Sequence, residues 1–319
     1  MKKYKKQSTS SKQQFNILIS WRLLEKYINK YKKVFKANNI KYKLITPQQY
    51  LKEKELINII HDYDGIICGD DEITKKVIDK AKKLKVVSKW GTGIDSIDKN
   101  YLQQKNISIF NSPGAFTKSV AQHGIALMFA LTRNIVTNNN DIKNGFWTKR
   151  ICHNIENKTI GIIGFGKIGK EIYKQLKSFG SNFLFNDIKK NKNFTSLKYL
   201  LKKSDIVFIS CDLNETSRNL IRYKELILMK KNSFLINVSR GAVVNNRDLI
   251  SALKNKTIAG AGLDVFENEP IDKKSKFISC KNCILTSHNA FNSEISIQLI
   301  NDKSVENIIN FFKKYKNKN

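Results

Sequence analysis

At 319 residues, 41% apolar and 27% charged, the chain has the composition of a globular protein of about two domains, and not of a disordered or fibrous one. Its longest apolar runs, such as residues 125–131, fall far short of the roughly 20 residues that span a bilayer, and the first 14 residues lack the apolar stretch of a secretory signal, so a cytoplasmic protein with no membrane partner is expected. The formal net charge of +31 is carried by lysine spread over nearly every segment, with only seven arginines among 58 basic residues, so nucleic acid is not expected as a partner either.

Residues 1–14 read as a disordered basic tail. From Phe15 onward short apolar runs alternate with helix-length amphipathic stretches, the pattern of an α/β fold. Strands are predicted at 15–20, 42–46, 65–68, 86–89 and 107–111, separated by helical stretches such as 21–37 and 72–84, which makes one parallel-sheet domain. Residues 120–132, apolar almost all round, read as a buried connecting helix. A second series follows at 159–163, 182–186, 205–210, 233–238, 258–263 and 283–286, six strands that suit a dinucleotide fold. Apolar residues at Ile295, Leu299, Ile300, Val305, Ile308, Ile309 and Phe312 predict a last helix over 295–315 that packs back on a neighbour. Five scattered cysteines form no disulfide framework, and the Cys280-x-x-Cys283 pair has no second pair with which to hold zinc; no metal site is expected.

Gly164-Phe165-Gly166-Lys167-Ile168-Gly169 follows an apolar strand and opens a helix. In that context the first glycine permits a tight turn, the second lets backbone approach a pyrophosphate, and the third lets helix and strand pack closely. Asp187 stands 18 residues after Gly169 at the end of the next strand, where an acid binds a ribose diol; its charge repels a 2′-phosphate and favours NAD over NADP, with Lys189 and Lys190 just beyond. A plainer reading of Asp187 is a turn cap after a strand.

Ligands of doubly wound sheets sit beyond the carboxyl ends of the strands. Arg240, Asp264 with Glu269, and His288 each follow a predicted strand at that edge. Moving hydride between C2 of a hydroxy acid and nicotinamide needs a proton acceptor that titrates near the working pH, and histidine does. A carboxylate would orient its ring, and the planar fork of arginine would hold a substrate carboxylate. Taken singly, His288 reads equally as a solvated loop residue, Glu269 as a surface acid and Arg240 as an ion-pair partner; jointly they form a dehydrogenase set.

With these residues the sequence resembles the D-isomer-specific 2-hydroxyacid dehydrogenases over nearly its whole length. The resemblance is carried by the glycine motif and by Gly91-Thr92-Gly93-Ile94-Asp95, Asn111-Ser112-Pro113-Gly114, Ser119-Val120-Ala121-Gln122-His123, Asn237-Val238-Ser239-Arg240-Gly241, Gly262-Leu263-Asp264-Val265-Phe266-Glu267 and Ser287-His288-Asn289-Ala290. It implies that Arg240 binds substrate, that Glu269 pairs with His288, the general acid/base, and that the amides of Thr92 and Gly93 hold the substrate carboxylate. It also implies that Asp264 and the backbone of Val238, Ser239 and Arg240 line the nicotinamide. Two Rossmann- or flavodoxin-like domains follow from it, a discontinuous substrate domain (15–114 and 292–319) and an NAD-binding domain (115–291), with a cleft between them. A homodimer with contacts through the helix from Val120 also follows, and His123 on that helix reads as structural. Gln122, Ser287, Asn289, Ser210 and Asp212 depart from the family's usual residues.

Among the relatives the Gly-Thr-Gly-x-Asp run most resembles D-3-phosphoglycerate dehydrogenase, and Lys89 falls where that enzyme has a substrate-side arginine. Phosphoglycerate is therefore the leading named substrate, although Asp70 and Asp71 stand where a second arginine is usual and would repel a phosphate. Alternatives are a glyoxylate or hydroxypyruvate reductase and, from another class, a non-enzymatic NAD-sensing regulator like the corepressors that share the fold.

Overall fold

The computed structural model describes residues 13–189 and 191–317, so almost all of the expected tail, and Lys190, lie outside the described residues. The chain divides into two compact units, one of residues up to Ala115 together with those from Ile297 on, the other of Phe116–Ser296. Each is a parallel α/β sandwich, and the first is built from two separate stretches of chain.

The first unit runs β1 (Phe15–Ile19), α1 (Arg22–Glu25), α2 (Ile28–Ala37), β2 (Ile40–Leu44), α3 (Glu53–Ile57), β3 (Gly65–Cys68), α4 (Lys75–Lys80), β4 (Val86–Lys89), α5 (Lys99–Gln104) and β5 (Ser108–Phe110). Its strands lie in the order β2-β1-β3-β4-β5, all parallel. The central strands β3 and β4 are buried at every position; β3 accordingly appears in the sequence as a continuous apolar run and not as an alternating one, while β4 buries Ser88 and Lys89 after its two valines. One face is covered by Leu56, Val77, Ile78 and Leu102 from α3, α4 and α5. The other takes Leu24, Tyr31 and Phe35 from α1 and α2. The single helix expected over 21–37 is two, because its first turn is closed by i to i+3 bonds (Leu24 N to Trp21 O, Tyr27 N to Leu24 O) that put it out of step with the 3.6-residue period.

The second unit opens with α6 (Thr117–Thr132) and α7 (Ile135–Lys143). There follow β6 (Thr159–Ile163), α8 (Lys167–Leu176), β7 (Asn182–Asn186), α9 (Leu197–Lys203), β8 (Ile206–Ile209), α10 (Tyr223–Leu226), β9 (Phe234–Asn237), α11 (Asn246–Lys254), β10 (Gly260–Leu263) and β11 (Cys283–Leu285). The six strands are parallel in the order β11-β10-β9-β8-β6-β7. Among the described residues the sheet continues beyond β7 only as a bridge between Phe185 and Phe194. The apolar helix α6 packs with α8 on one face, through Val120, Leu127, Met128, Ile172 and Leu176. On the other face Leu200, Leu226, Leu249 and Leu253 of α9, α10 and α11 cover the sheet. Among the described residues no helix is long and apolar enough to cross a membrane.

The chain ends in α12 (Glu294–Lys316), whose Val305, Ile308, Ile309 and Phe312 complete the second apolar layer of the first unit. Phe312 stacks on Phe15 of β1 with ring centroids 4.1 Å apart. Phe312→Ala removes a fully buried ring from this layer and is expected to cost about 3–5 kcal/mol, read as a lower urea midpoint for the cooperative loss of this unit; an unshifted midpoint would mean that α12 contributes nothing to its core.

Candidate active site

Parallel sheets place their functional loops at the carboxyl ends of the strands, where neighbouring crossovers diverge to opposite faces. In the second unit that point lies between β6 and β8. Gly164 follows β6 with φ +87°, a conformation that L side chains rarely adopt, and a Cβ there would lie 2.4 Å from the Cys211 backbone of the next loop. A Cβ on Gly169 would meet the Gly164 carbonyl at 2.3 Å, whereas one on Gly166 would meet nothing within 4 Å. Two glycines are thus demanded by the protein itself, and the third leaves open space at the head of α8. Gly166 is the N-cap residue of α8 and makes no side-chain capping bond, so the positive end of the helix, with Lys167 and Ile168 in its first turn, faces that space. Ser210 donates to the Gly164 carbonyl (2.7 Å) and pins the turn from the β8 side.

Asp187 ends β7. Its Oδ2 accepts the Phe165 amide (2.7 Å) and its Oδ1 the Lys189 amide (3.0 Å), so the turn-cap reading holds; each oxygen keeps a second lone pair. An open hollow of about 540 Å³ lies beside it, lined by Asp187, Ile188, Lys189, Asn191, Phe194 and Ser196 among others. An uncapped helix N-terminus, a turn open at Gly166 and an acid at the end of the second strand fit the pyrophosphate and adenine-side ribose of NAD.

Farther along the same sheet edge stand the other predicted residues of this unit. The loop Val238-Ser239-Arg240 after β9 is fixed by the buried Asn237 side chain, which accepts from the Ser239 amide (3.1 Å) and donates to the Arg240 carbonyl (3.1 Å). Arg240 Nη1 also donates to the Ser239 carbonyl (2.9 Å). After β10 comes Asp264, with no exposed surface. Its Oδ1 accepts from Thr286 Oγ1 (2.6 Å) and the Asn289 amide (2.8 Å), its Oδ2 from the Ala290 amide (2.9 Å), and its carbonyl from the His288 amide (2.8 Å). Burial works to raise the pKa of this carboxyl, but the bonds from His123, Thr286 and the two amides outweigh it and hold it below the ordinary value.

Gripped in this way, His288 adopts φ +50°, a left-handed conformation that costs a non-glycine residue about 1–3 kcal/mol and that its surroundings must impose. Its Nδ1 lies 2.7 Å from Glu269 Oε2, while Glu269 Oε1 accepts the Phe266 amide (2.8 Å). The predicted histidine–carboxylate pair therefore exists, held at both ends by backbone. With Nδ1 on the glutamate, Nε2 is the ring atom presented for proton transfer.

In the first unit the point of divergence lies between β1 and β3, and its loops are packed with polar groups. Asp71 is fully buried and accepts from Ser20 Oγ (2.5 Å), the Leu51 amide (2.5 Å) and the Gly69 amide (3.1 Å). Lys89, at the end of β4, is 3% exposed, and its ammonium lies 2.8 Å from Asp70 Oδ1. Next on that edge the loop Gly91–Asp95 is tied down by Asn111 Nδ2 on the Thr92 carbonyl (2.7 Å) and the Ser112 amide on the Gly91 carbonyl (2.8 Å). The amides of Thr92 and Gly93 find no acceptor among the described residues, which is the state required of a carboxylate-binding pair.

Sequence reasoning missed the acceptor role of Asp71, the clamp by Ser210 and the relay from His123 through Thr286. Each of these roles rests on a contact 46 to 163 positions away along the chain; the sequence marks Asp71 as hostile to phosphate, His123 as structural and Ser210 as a departure from the family pattern, but not these roles.

Burial pushes the Asp71 carboxyl up to about 6, its hydrogen bonds and Lys89 only partly offsetting it. Between the unfolded value of 3.8 and 6 the folded chain holds this proton and the unfolded chain does not. The stability it confers is therefore present below the unfolded pKa and lost as pH rises through 6. In urea unfolding the wild type is expected to lose stability relative to Asp71→Asn between pH 5 and 7.5; parallel pH profiles for the two proteins would contradict this.

Comparison with known proteins agrees with this geometry. Residues 125–290 match the family model of the D-isomer specific 2-hydroxyacid dehydrogenase NAD binding domain. Glyoxylate reductase of Thermofilum pendens is 36% identical over 272 residues, 80% of each chain. D-3-phosphoglycerate dehydrogenase of Methanocaldococcus jannaschii is 34% identical over 256 residues, 76% of this chain but 49% of that longer one. Among solved structures, D-lactate dehydrogenase of Aquifex aeolicus, crystallised with NAD and lactic acid, superposes with a TM-score of 0.85 at 25% identity, covering 94% of this chain and 96% of that one.

Proposed function

The chain belongs to the D-isomer-specific 2-hydroxyacid dehydrogenases, NAD-dependent oxidoreductases acting on a CH–OH group, and from that premise we propose that it interconverts a small unphosphorylated 2-oxo acid, glyoxylate or hydroxypyruvate, with its 2-hydroxy acid. The observation that carries the choice of substrate is the Lys89–Asp70 pair. A phosphate needs an uncompensated cation, and here the lysine is buried, bonded to one carboxylate and flanked by a second, Asp71. Three relatives support the same reading: the Thermofilum enzyme and one from Thermococcus litoralis are named glyoxylate reductases, and one from Thermotoga maritima hydroxypyruvate reductase.

Bound NAD supplies the carrier that accepts or gives up hydride. The head of α8 with Gly164, Gly166, Lys167, Ile168 and Gly169 would hold its pyrophosphate, Asp187 its ribose, and Val238 and Ser239 the nicotinamide end; Asp264, expected to line that end, has no exposed surface and instead holds the 288–290 turn. The rest falls to this chain's own groups. In the second unit the Arg240 guanidinium is the substrate's charged partner and polarises its C2 oxygen; in the first, the amides of Thr92 and Gly93 form a pair suited to a carboxylate. During reduction His288 Nε2 gives its proton to the C2 oxygen as negative charge develops there, and in oxidation it takes that proton back. Glu269, fixed on Nδ1, keeps the ring in one tautomer and stabilises the imidazolium.

We also propose a homodimer. No residue of α7 is buried, and Ile135, Ile142, Phe146, Trp147 and Ile151 stand exposed in close succession, the last two at 84% and 91%. Such a cluster is what a subunit contact covers.

The decisive experiment is NADH oxidation against glyoxylate, hydroxypyruvate, pyruvate and phosphohydroxypyruvate. An unphosphorylated acid is expected to lead phosphohydroxypyruvate by at least roughly tenfold in kcat/KM, the factor that about 1.4 kcal/mol of charge repulsion carries; the opposite order would establish a phosphate site around Lys89. His288→Ala is expected to lower kcat by roughly 10²–10⁴-fold while NADH still binds, as followed by nucleotide fluorescence. Near-normal turnover by that variant would remove His288 from its role.

A further inference from the structure

Asp264 is buried, and its charge has to be met inside the fold. Among the described residues its side-chain partners are Thr286, two backbone amides and one ionisable side chain, His123 of α6, whose Nε2 lies 3.3 Å from Asp264 Oδ1 and 3.0 Å from Thr286 Oγ1. The donor order can be worked out. Thr286 spends its hydroxyl proton on Asp264 at 2.6 Å, so its oxygen is an acceptor toward His123, and His123 carries its proton on Nε2. The result is a relay, His123 Nε2–H to Thr286 Oγ1–H to the Asp264 carboxylate, which in turn holds the amides of Asn289 and Ala290. Those residues follow the left-handed His288, whose ring meets Glu269.

Resting on the reading of His288 as general acid/base, we propose that His123 is a positioning residue of this enzyme, acting through Thr286 and Asp264 to hold the 288–290 turn and thereby the His288 ring on Glu269. His123 touches neither reacting atoms nor Glu269. Its site is a helix face against the sheet: the next residue, Gly124, brings α6 so close that a Cβ there would stand 3.3 Å from Val238 of the β9 loop.

The test compares His123→Leu, which removes the donor, with His123→Gln, whose side-chain amide restores an N–H at similar reach, and with Thr286→Val, which cuts the relay at its middle while conserving shape. His123→Leu and Thr286→Val are expected to lower kcat by roughly tenfold or more, with KM for the best 2-oxo acid within about twofold, and His123→Gln to recover most of the rate. A second readout needs no substrate: the low-field proton NMR signal of the His288 Nδ1–H bond to Glu269 is expected to shift or broaden in the first two variants and to return in the third. An unmoved signal and kcat in Thr286→Val, or a His123→Gln protein no better than His123→Leu, would overturn the proposal. If the wild type oxidises NADH with none of the acids, the functional reading fails on its own and the NMR comparison still decides this one.

Discussion

A carboxylate without exposed surface must find donors inside the protein, and the way Asp264 does so organises the catalytic edge of the second unit. The side chain and carbonyl of this one residue bind three consecutive amides, those of His288, Asn289 and Ala290. A turn bound at three successive amides has little freedom left, and the positive φ of His288 is the conformation that satisfies all three. The direction of the His288 ring is therefore set by a residue that does not touch it. Two of the hydrogen bonds that together outweigh burial and hold the Asp264 pKa down, those from the Asn289 and Ala290 amides, also shape the turn, so electrostatics and geometry meet at this point.

The two units show how one sheet architecture is used in opposite ways. Both are parallel sheets with strand orders that reverse direction next to their first strand, which opens a crevice beyond the carboxyl ends. In the second unit glycines keep that crevice clear of side chains and an uncapped helix end faces it, an arrangement suited to a large anionic cofactor. In the first unit the same place is filled by Ser20, Asp71 and the amides they engage. What that edge offers instead is the tied-down 91–95 loop with two amides that have no acceptor among the described residues, a smaller anion site suited to a carboxylate.

Most of this was legible in the sequence, for a physical reason. Central parallel strands are buried on both faces, so their apolar runs stand out, and β3 and β6 lie where they are expected; β4 and the edge strand β7 do so as well. The glycine motif and the histidine–glutamate pair were readable because each residue type has one chemical use at that place in a βα unit. Short polar helices such as α3, α5 and α7 escaped because five to nine residues give too little period to detect. Asp70 and Asp71 read alike in the sequence, as acids that repel a phosphate; only the fold shows that Asp71 is buried and bonded to Ser20 while Asp70 is salt-bridged to Lys89. His123 could be read as structural, but its partner Thr286 lies 163 residues away and belongs to no motif.

Net charge illustrates the same distinction between composition and place. A chain with a formal charge of +31 would be expected to favour any anion, and over long distances it does, within the limits of salt screening. Selection among anions is made at contact distance, however, and there the relevant lysine is the buried one. Among the described residues only Lys89 of the lysines is buried, and it is held by a carboxylate. A charge already spent on an internal partner has little left for a ligand, whereas an exposed lysine is worth little to one, because water and ions screen it. The many exposed lysines therefore attract carboxylates and phosphates alike, whereas the single buried lysine, at the end of β4, is already compensated by Asp70.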